Sequence, residues 1–269
     1  MRRFIFTVLT FLSLGAYNLY AQERVIDKTS QVSSLKDSGK FIGEREKGKM
    51  NGNGIYEWQC GDRYVGNFVE DRMEGYGTYI WKEGDIYKGE FKNGKQCGYG
   101  SAHYANGNVY EGEWKDGKRH GHGKLIWSNG DTFEGEWEND MRVGKGVFTA
   151  VNGDRYEGEY LDSKRHGFGT YYLSNGDIYR GQWENDEENG IGRYSYANGN
   201  IYEGQFVNGK IEGQGSFVWA SGATYVGLFK DGMRNGDGTY TTANGNVVAG
   251  VWKDNRFAGN NNTTSMANR

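Results

Sequence analysis

A short alternation of aromatic, glycine and polar residues recurs along most of the chain. In residues 110–114, Tyr-Glu-Gly-Glu-Trp, the aromatic residues and the glycine occupy every second position. Residues 121–127, Gly-His-Gly-Lys-Leu-Ile-Trp, alternate in the same way after a short polar loop. Because alternate side chains of a β-strand share one face, each pair of segments predicts a β-hairpin with an aromatic face and a polar face.

The hairpin pattern repeats every 23 residues without an insertion. Position 3 of the repeat is glycine in every unit, and position 5 is aromatic in every unit after the first. Such a repeat predicts a linear array rather than the one or two compact domains that the length alone suggests. Position 1 is the column Phe41, Tyr64, Tyr87, Tyr110, Phe133, Tyr156, Tyr179, Tyr202, Tyr225 and Val248.

Glycine has two predicted uses in this pattern. Residues 128–131, Ser-Asn-Gly-Asp, lie between two repeats, where glycine can take the positive φ that such turns require. Within a strand, a glycine between two aromatic residues, such as Gly112, leaves room for a ring to lie against the backbone. The chain has 45 glycines, no proline and 15% aromatic residues, a composition that suits a thin sheet better than a thick aliphatic core.

Residues 110–123, Tyr-Glu-Gly-Glu-Trp-Lys-Asp-Gly-Lys-Arg-His-Gly-His-Gly, resemble the MORN repeat family. The resemblance covers residues 41–259, as nine repeats and a half repeat. It implies an all-β fold, a single elongated antiparallel sheet of stacked 23-residue β-hairpins, and a binding or scaffolding role with lipid contact in some members. The sequence departs from the pattern at the ends, where Arg45 replaces an aromatic residue and Val248 begins the half repeat. Repeat arrays need atypical units at their ends.

The segments outside the array have other predicted roles. Residues 1–21 are typical of a signal peptide, with Arg2 and Arg3, an apolar stretch and a cleavage site after Ala21. An uncleaved anchor is the alternative, but the stretch is shorter than the roughly 20 apolar residues of a membrane span. Residues 22–40 are interpreted as a linker or N-terminal cap, and residues 260–269 as a disordered tail. We therefore expect export to the periplasm, the cell surface or the medium.

The charge of the chain argues against nucleic acid as a partner. The full sequence has 32 basic and 35 acidic residues. Removal of residues 1–21 takes away two basic residues and leaves a net charge of −5. Phosphate backbones require concentrated Lys and Arg, which this composition lacks.

A single sheet leaves its aromatic face without a second layer. For any one ring, packing against its neighbours is the more common role of a large residue in register. The stripe as a whole is expected to be exposed and to bind a protein partner or a second copy of the chain. Its predicted members are Tyr110, Trp114, Trp127, Tyr156, Tyr160, Tyr179, Trp183 and Tyr202.

The charged positions define two further candidate surfaces. Opposite the rings lies an acidic ladder, which is interpreted as a solvated face or as a surface for a cationic partner: Glu111, Glu113, Glu134, Glu136, Glu157 and Glu159. The loops within the hairpins form a basic edge, which supports the alternative of a peripheral module that binds anionic phospholipid. This edge consists of Lys115, Lys118, Arg119, Lys164 and Arg165.

No catalytic, cofactor or metal site is predicted. Neither the repeats nor their flanks contain HExxH, GxSxG or a phosphate-binding loop that ends in Gly-Lys-Ser/Thr. His120 and His122 are too few for a zinc site and are interpreted as surface residues. Cys60 and Cys97 belong to opposite edges of the sheet, about 20 Å apart, and are expected to be free thiols. The sequence therefore predicts a non-catalytic scaffold of the cell envelope or exterior.

We expect the exported protein to begin at Gln22, because Ala21 completes the predicted cleavage site. The intact mass of the protein recovered from outside the cytoplasm should equal that of residues 22–269. A mass that still includes residues 1–21 would contradict cleavage and support the uncleaved anchor.

Overall fold

The computed structural model describes residues 39–260. The predicted signal peptide, most of the predicted linker or cap and all but the first residue of the predicted tail lie outside the described residues. Within residues 39–260 the regular structure is entirely β, and no helix there is long and apolar enough to cross a membrane.

Twenty strands follow one another and form one open antiparallel sheet, in which each strand pairs with the next along the chain. The last half repeat contributes its own hairpin, with a second strand of four residues. The strands are β1 Lys40–Glu46, β2 Lys49–Glu57, β3 Arg63–Val69, β4 Arg72–Ile80, β5 Ile86–Lys92, β6 Lys95–His103, β7 Val109–Lys115, β8 Lys118–Ile126, β9 Thr132–Glu138, β10 Met141–Thr149, β11 Arg155–Leu161, β12 Lys164–Tyr172, β13 Ile178–Glu184, β14 Glu187–Ser195, β15 Ile201–Val207, β16 Lys210–Val218, β17 Thr224–Lys230, β18 Met233–Thr241, β19 Val247–Lys253 and β20 Arg256–Gly259.

Two-residue turns close the hairpin of each repeat. Asp116 and Gly117 join β7 to β8 with φ values of 51° and 83°, and Asn139 and Asp140 join β9 to β10 at 51° and 71°. Two successive positive φ values define the type I′ turn, which matches the twist of the strands that it joins. Asn and Asp tolerate positive φ better than other non-glycine residues, so these turns do not require glycine at both positions.

A different turn joins one repeat to the next. In the turn after β8, the Trp127 amide donates to the Asp131 carbonyl at 2.9 Å, and Gly130 has the predicted positive φ of 93°. The Asp131 carboxylate also accepts the amide of Val151, in the following turn, at 2.9 Å. The turns along this edge are therefore hydrogen-bonded to each other as well as to their own strands.

A β-bulge interrupts the hairpin of each of the nine full repeats at the same position. Gly112 pairs with Gly123, whereas Trp114 pairs with Arg119, so the second strand holds two extra residues between these pairs. Gly121 takes a φ of 57° in this bulge. A bulge leaves backbone groups without ladder partners, and the side chain at position 4 satisfies one of them. Glu113 accepts the His122 amide at 3.1 Å.

The rings of position 1 lie on glycine backbone, as the sequence predicts. Any Cβ at Gly112 or Gly123 would collide with the ring or hydroxyl of Tyr110, and Tyr110 is completely buried. The phenol donates to the Glu113 carbonyl at 3.1 Å. The same bond, from Tyr at position 1 to the carbonyl three residues on, recurs at Tyr64, Tyr87, Tyr156, Tyr179, Tyr202 and Tyr225.

Gly123→Ala should lower the free energy of unfolding by about 2 kcal/mol, because the added methyl group meets the Tyr110 ring and the backbone cannot move away from its paired strand. Urea unfolding of the purified protein measures the change. Lys124→Ala is the matched control, since Lys124 is adjacent but exposed on the opposite face. Equal stability of the two variants would contradict close packing of the ring on the glycine pair.

Candidate binding surfaces

The predicted aromatic stripe is continuous, but the expectation that it is exposed is wrong. Seven of its eight rings are buried, with exposed fractions between 0% and 8%, and Trp127 is half-buried. The buried rings are Tyr110, Trp114, Tyr156, Tyr160, Tyr179, Trp183 and Tyr202.

The rings are buried because they cover one another along the array. The Tyr110 ring makes edge-to-face contacts with Trp114 at 5.3 Å and with Trp137 of the next repeat at 5.4 Å. The Trp137 indole also donates to the Gly123 carbonyl at 3.1 Å. Similar contacts continue from Tyr64 to Trp252. The stripe is thus the core of the protein.

The basic edge is also smaller than predicted. The Arg119 guanidinium is buried 4.2 Å above the Trp137 ring, and its Nε donates to the Asp140 carboxylate at 3.1 Å. Arg165 makes the equivalent contacts with Trp183, at 4.3 Å, and with Asp186. Lys115 is exposed and Lys118 and Lys164 are half-buried, so three lysines remain at this edge.

A sequence signal for these internal arginines was missed. Arginine at position 10 occurs only where position 8 of the next repeat is Asp, Ser or Asn instead of glycine. In each case that side chain accepts the arginine amide, and the arginine donates to its backbone carbonyl. The pairs are Arg119 with Asp140, Arg142 with Ser163, Arg165 with Asp186 and Arg234 with Asn255.

Glu188 is at position 10, where four other repeats have arginine, and carries the opposite charge. It lies half-buried opposite Trp183 on the core face of β14. Burial raises the pKa of the Glu188 carboxyl above its usual value, and the charge of Arg165 opposes the shift. This carboxylate therefore costs stability once it is ionised.

The outer face of the sheet is exposed to solvent. It is formed by the residue before position 1 and the even positions of the first strand, and by positions 13, 15 and 17 of the second. It carries the acidic ladder, whose members Glu134 and Glu136 are about half exposed. In the C-terminal half, four exposed side chains of this face are aliphatic, and we call them the C-terminal patch: Ile191, Val207, Val226 and Val247. The N-terminal half presents two exposed tyrosines, Tyr76 and Tyr99, as well as the exposed aliphatic residues Ile42, Val65 and Val69.

The outer face has an open concavity. One open depression of about 570 Å³ lies on the outer face around the bulges of β12 and β14, where Phe168 and His166 line it. Catalytic and cofactor sites usually lie in enclosed clefts. Cys60 lies exposed in a turn and Cys97 lies half-buried in β6; both are free, and burial raises the pKa of the Cys97 thiol. No group of three or more His, Cys, Asp or Glu side chains within residues 39–260 could hold a metal ion.

These features define an open-sheet repeat protein in which each hairpin packs on the hairpins next to it in the chain. Nine consecutive MORN repeats are matched across residues 41–247, from 41–63 to 225–247, and the chain belongs to the MORN repeat family. Repeats of this family are associated with binding, to membranes or to proteins. The search of curated proteins found no match.

Two solved domains resemble parts of the chain weakly. The SAS-4 (dCPAP) TCP domain of Drosophila melanogaster, in complex with a proline-rich motif of Ana2 (dSTIL), is 19% identical over 58% of this chain and 84% of its own, with a TM-score of 0.38. The TCP10 domain of Danio rerio CPAP is 12% identical over 75% of this chain and 94% of its own, with a TM-score of 0.41. Likeness at this level supports no functional conclusion.

Glu188→Gln should stabilise the protein at neutral pH. The pKa of the Glu188 carboxyl is higher in the folded than in the unfolded protein. The wild type therefore loses stability as the pH rises from the unfolded-state pKa through the folded-state pKa, and the full loss is reached above both values. Melting temperatures at pH 7 should therefore be higher for the variant, and those at about pH 3, where the carboxyl is protonated in both states, should be equal. The control Glu187→Gln, at the exposed neighbouring position, should change neither. An equal gain for both variants would contradict the role of burial.

Proposed function

We propose that this chain is an exported, non-catalytic scaffold that binds a protein partner, or a second copy of itself, through the outer face of its sheet. The C-terminal patch is the observation that carries the proposal. Ile191 and Val226 are each 57% exposed. The ladder fixes Val226 on both sides and Ile191 on the side of β15, where it pairs with Gln205. Several exposed apolar side chains on one rigid face are typical of a protein interface.

The other surfaces support this choice. The aromatic rings do not form an accessible apolar surface, because they are buried by contacts between repeats. The predicted signal peptide supports a partner outside the cytoplasm, and the mass of the exported protein tests that location. Binding at a flat sheet face requires no cavity, in keeping with the shallow relief of the described residues.

Binding to anionic phospholipid is the second candidate. It would depend on Lys115, Lys118 and Lys164, because Arg119 and Arg165 are engaged with Asp140 and Asp186. Each lysine near an anionic surface contributes about 1 kcal/mol, so three supply only weak attachment. The acidic ladder on the neighbouring face opposes it.

The double variant Val226→Lys/Val247→Lys should lose the partner, because two charges would be desolvated within the patch. The full-length protein is immobilised and exposed to the extracytoplasmic proteins of the producing cells, and retained proteins are quantified by mass spectrometry. Light scattering after size exclusion reports self-association of the same variants.

Val151→Lys is the matched control, because Val151 is 68% exposed but lies in an inter-repeat turn rather than on the outer face. Retention or self-association that survives the double variant would contradict the patch as the interface. Co-sedimentation with anionic vesicles at low salt, lost on Lys115→Glu and unaffected by the double variant, would favour the lipid module instead.

A further inference from the structure

Rings and carboxylates alternate in a row that crosses the outer face of the N-terminal half. Its rings are at position 13, in the second strand of each hairpin, and its carboxylates are at position 4, in the first strand of the next hairpin. Because these strands lie side by side, the row runs perpendicular to them. We call it the ring–carboxylate row: Tyr76, Glu90, Tyr99, Glu113, His122 and Glu136. Each ring is directly opposite the carboxylate that follows it.

All six side chains of this row are exposed. Tyr76 and Tyr99 are 61% and 62% exposed, the most accessible aromatic side chains of residues 39–260. The Glu90 carboxylate lies over Gly98, 2.7 Å from where a Cβ would be, and so stands beside Tyr99 as well as opposite Tyr76. Tyr99 therefore lies between two strands that each carry a position-4 glutamate: Glu113 is directly opposite it, and Glu90 pairs with Cys97 two residues before it.

These two carboxylates are available to a ligand. The Glu113 side chain is held by the His122 amide at 3.1 Å. Neither Glu90 nor Glu113 forms an ion pair with another of the described residues, although Lys124 pairs with Glu134 on the same face. A fixed carboxylate beside an exposed ring is a recognised environment for a guanidinium or ammonium group.

The protein itself places nitrogen-bearing side chains at related positions of the outer face. The His122 imidazole lies 3.4 Å from the Glu136 carboxylate directly opposite. At Phe168, which holds position 13 two repeats further on, the Arg180 guanidinium lies 5.8 Å from the ring centre. At Tyr76 and Tyr99 the described residues supply no such cation.

The spacing of the row matches one extended peptide conformation. Equivalent side chains in successive repeats are two strands apart, about 9.6 Å. A polyproline II helix has three residues per turn and a rise of 3.1 Å per residue, which gives a pitch of about 9.3 Å. Every third residue of such a peptide would therefore meet the next ring of the row. Polyproline II segments are commonly bound on aromatic surfaces because their conformation is already ordered.

We propose that the ring–carboxylate row binds a proline-rich basic peptide in the polyproline II conformation, with one Arg or Lys per turn placed between a ring and a carboxylate. The inference rests on the proposed function and names the partner class. Two lysines, Lys88 and Lys92, flank Glu90 on β5, whereas one glutamate and one lysine, Glu111 and Lys115, flank Glu113 on β7. The strongest cation position is therefore the one between Tyr99 and Glu113.

A labelled peptide of about four Pro-Pro-Arg units tests the proposal, since it spans about four repeats. Fluorescence anisotropy with the full-length protein should show binding that weakens as salt is raised. Tyr99→Ala and Glu113→Gln should each weaken it roughly three- to thirty-fold. Neither change should unfold the protein, because Tyr99 is exposed and Gln182 already accepts the equivalent bulge amide at 2.6 Å.

Phe168→Ala is the matched control at the same position of another repeat, where glutamine replaces the carboxylate. It should leave peptide affinity unchanged, and an equal loss would overturn the assignment to this row. Equal affinity for a Gly-Ser-Arg peptide of the same length and charge would overturn the polyproline II geometry. Binding of glucosamine oligomers in place of the peptide, with the same dependence on Tyr99, would overturn the peptide itself.

The two proposals can fail separately. If the Pro-Pro-Arg peptide does not bind while partner capture still depends on Val226 and Val247, the inference is wrong and the scaffold function stands. If peptide binding depends on Tyr99 but the C-terminal patch captures nothing, the row is the interface and the patch is not.

Discussion

The packing of one aromatic ring on two backbone glycines underlies the whole structure. Tyr110 covers Gly112 and Gly123, donates to the Glu113 carbonyl and meets Trp137 of the next repeat. Repetition of this contact lets a sheet with no second layer keep a dry core, because each ring is covered by its own strands on one side and by neighbouring rings on the other. The same contact occupies the rings that might otherwise bind a partner.

Polar side chains reinforce the array at both edges. Asp131 joins one inter-repeat turn to the next, and Asp140 joins Arg119 to the following hairpin. Each of these bonds reaches only the adjacent repeat, as do the ring contacts. Cooperativity along the array therefore depends on nearest neighbours, as in other repeat proteins.

Much of the fold was predictable because the pattern is local. The alternation in residues 110–114 and its 23-residue period predict the hairpins, the turn at Gly130 and the ring on Gly112. Exposure was not predictable in the same way, since it depends on how a ring tilts towards the next repeat. Arg119 was interpreted as a lipid-facing charge because the sequence pattern alone does not show that Trp137 and Asp140 enclose it. The sequence signal for this burial was Asp140, at position 8 of the following repeat.

At the bulge of each repeat, glycines that are needed for the fold lie next to a residue whose side chain is exposed on the outer face. Position 13 lies outside the aromatic core, and its occupants range from Tyr99 to Lys145 and Ile191 while the neighbouring glycines stay the same. Mutation can therefore alter the display of a single repeat with little effect on its stability or on its neighbours. Such a sheet can evolve new specificity one unit at a time, and duplication of a unit would copy a recognition element together with the scaffold that presents it.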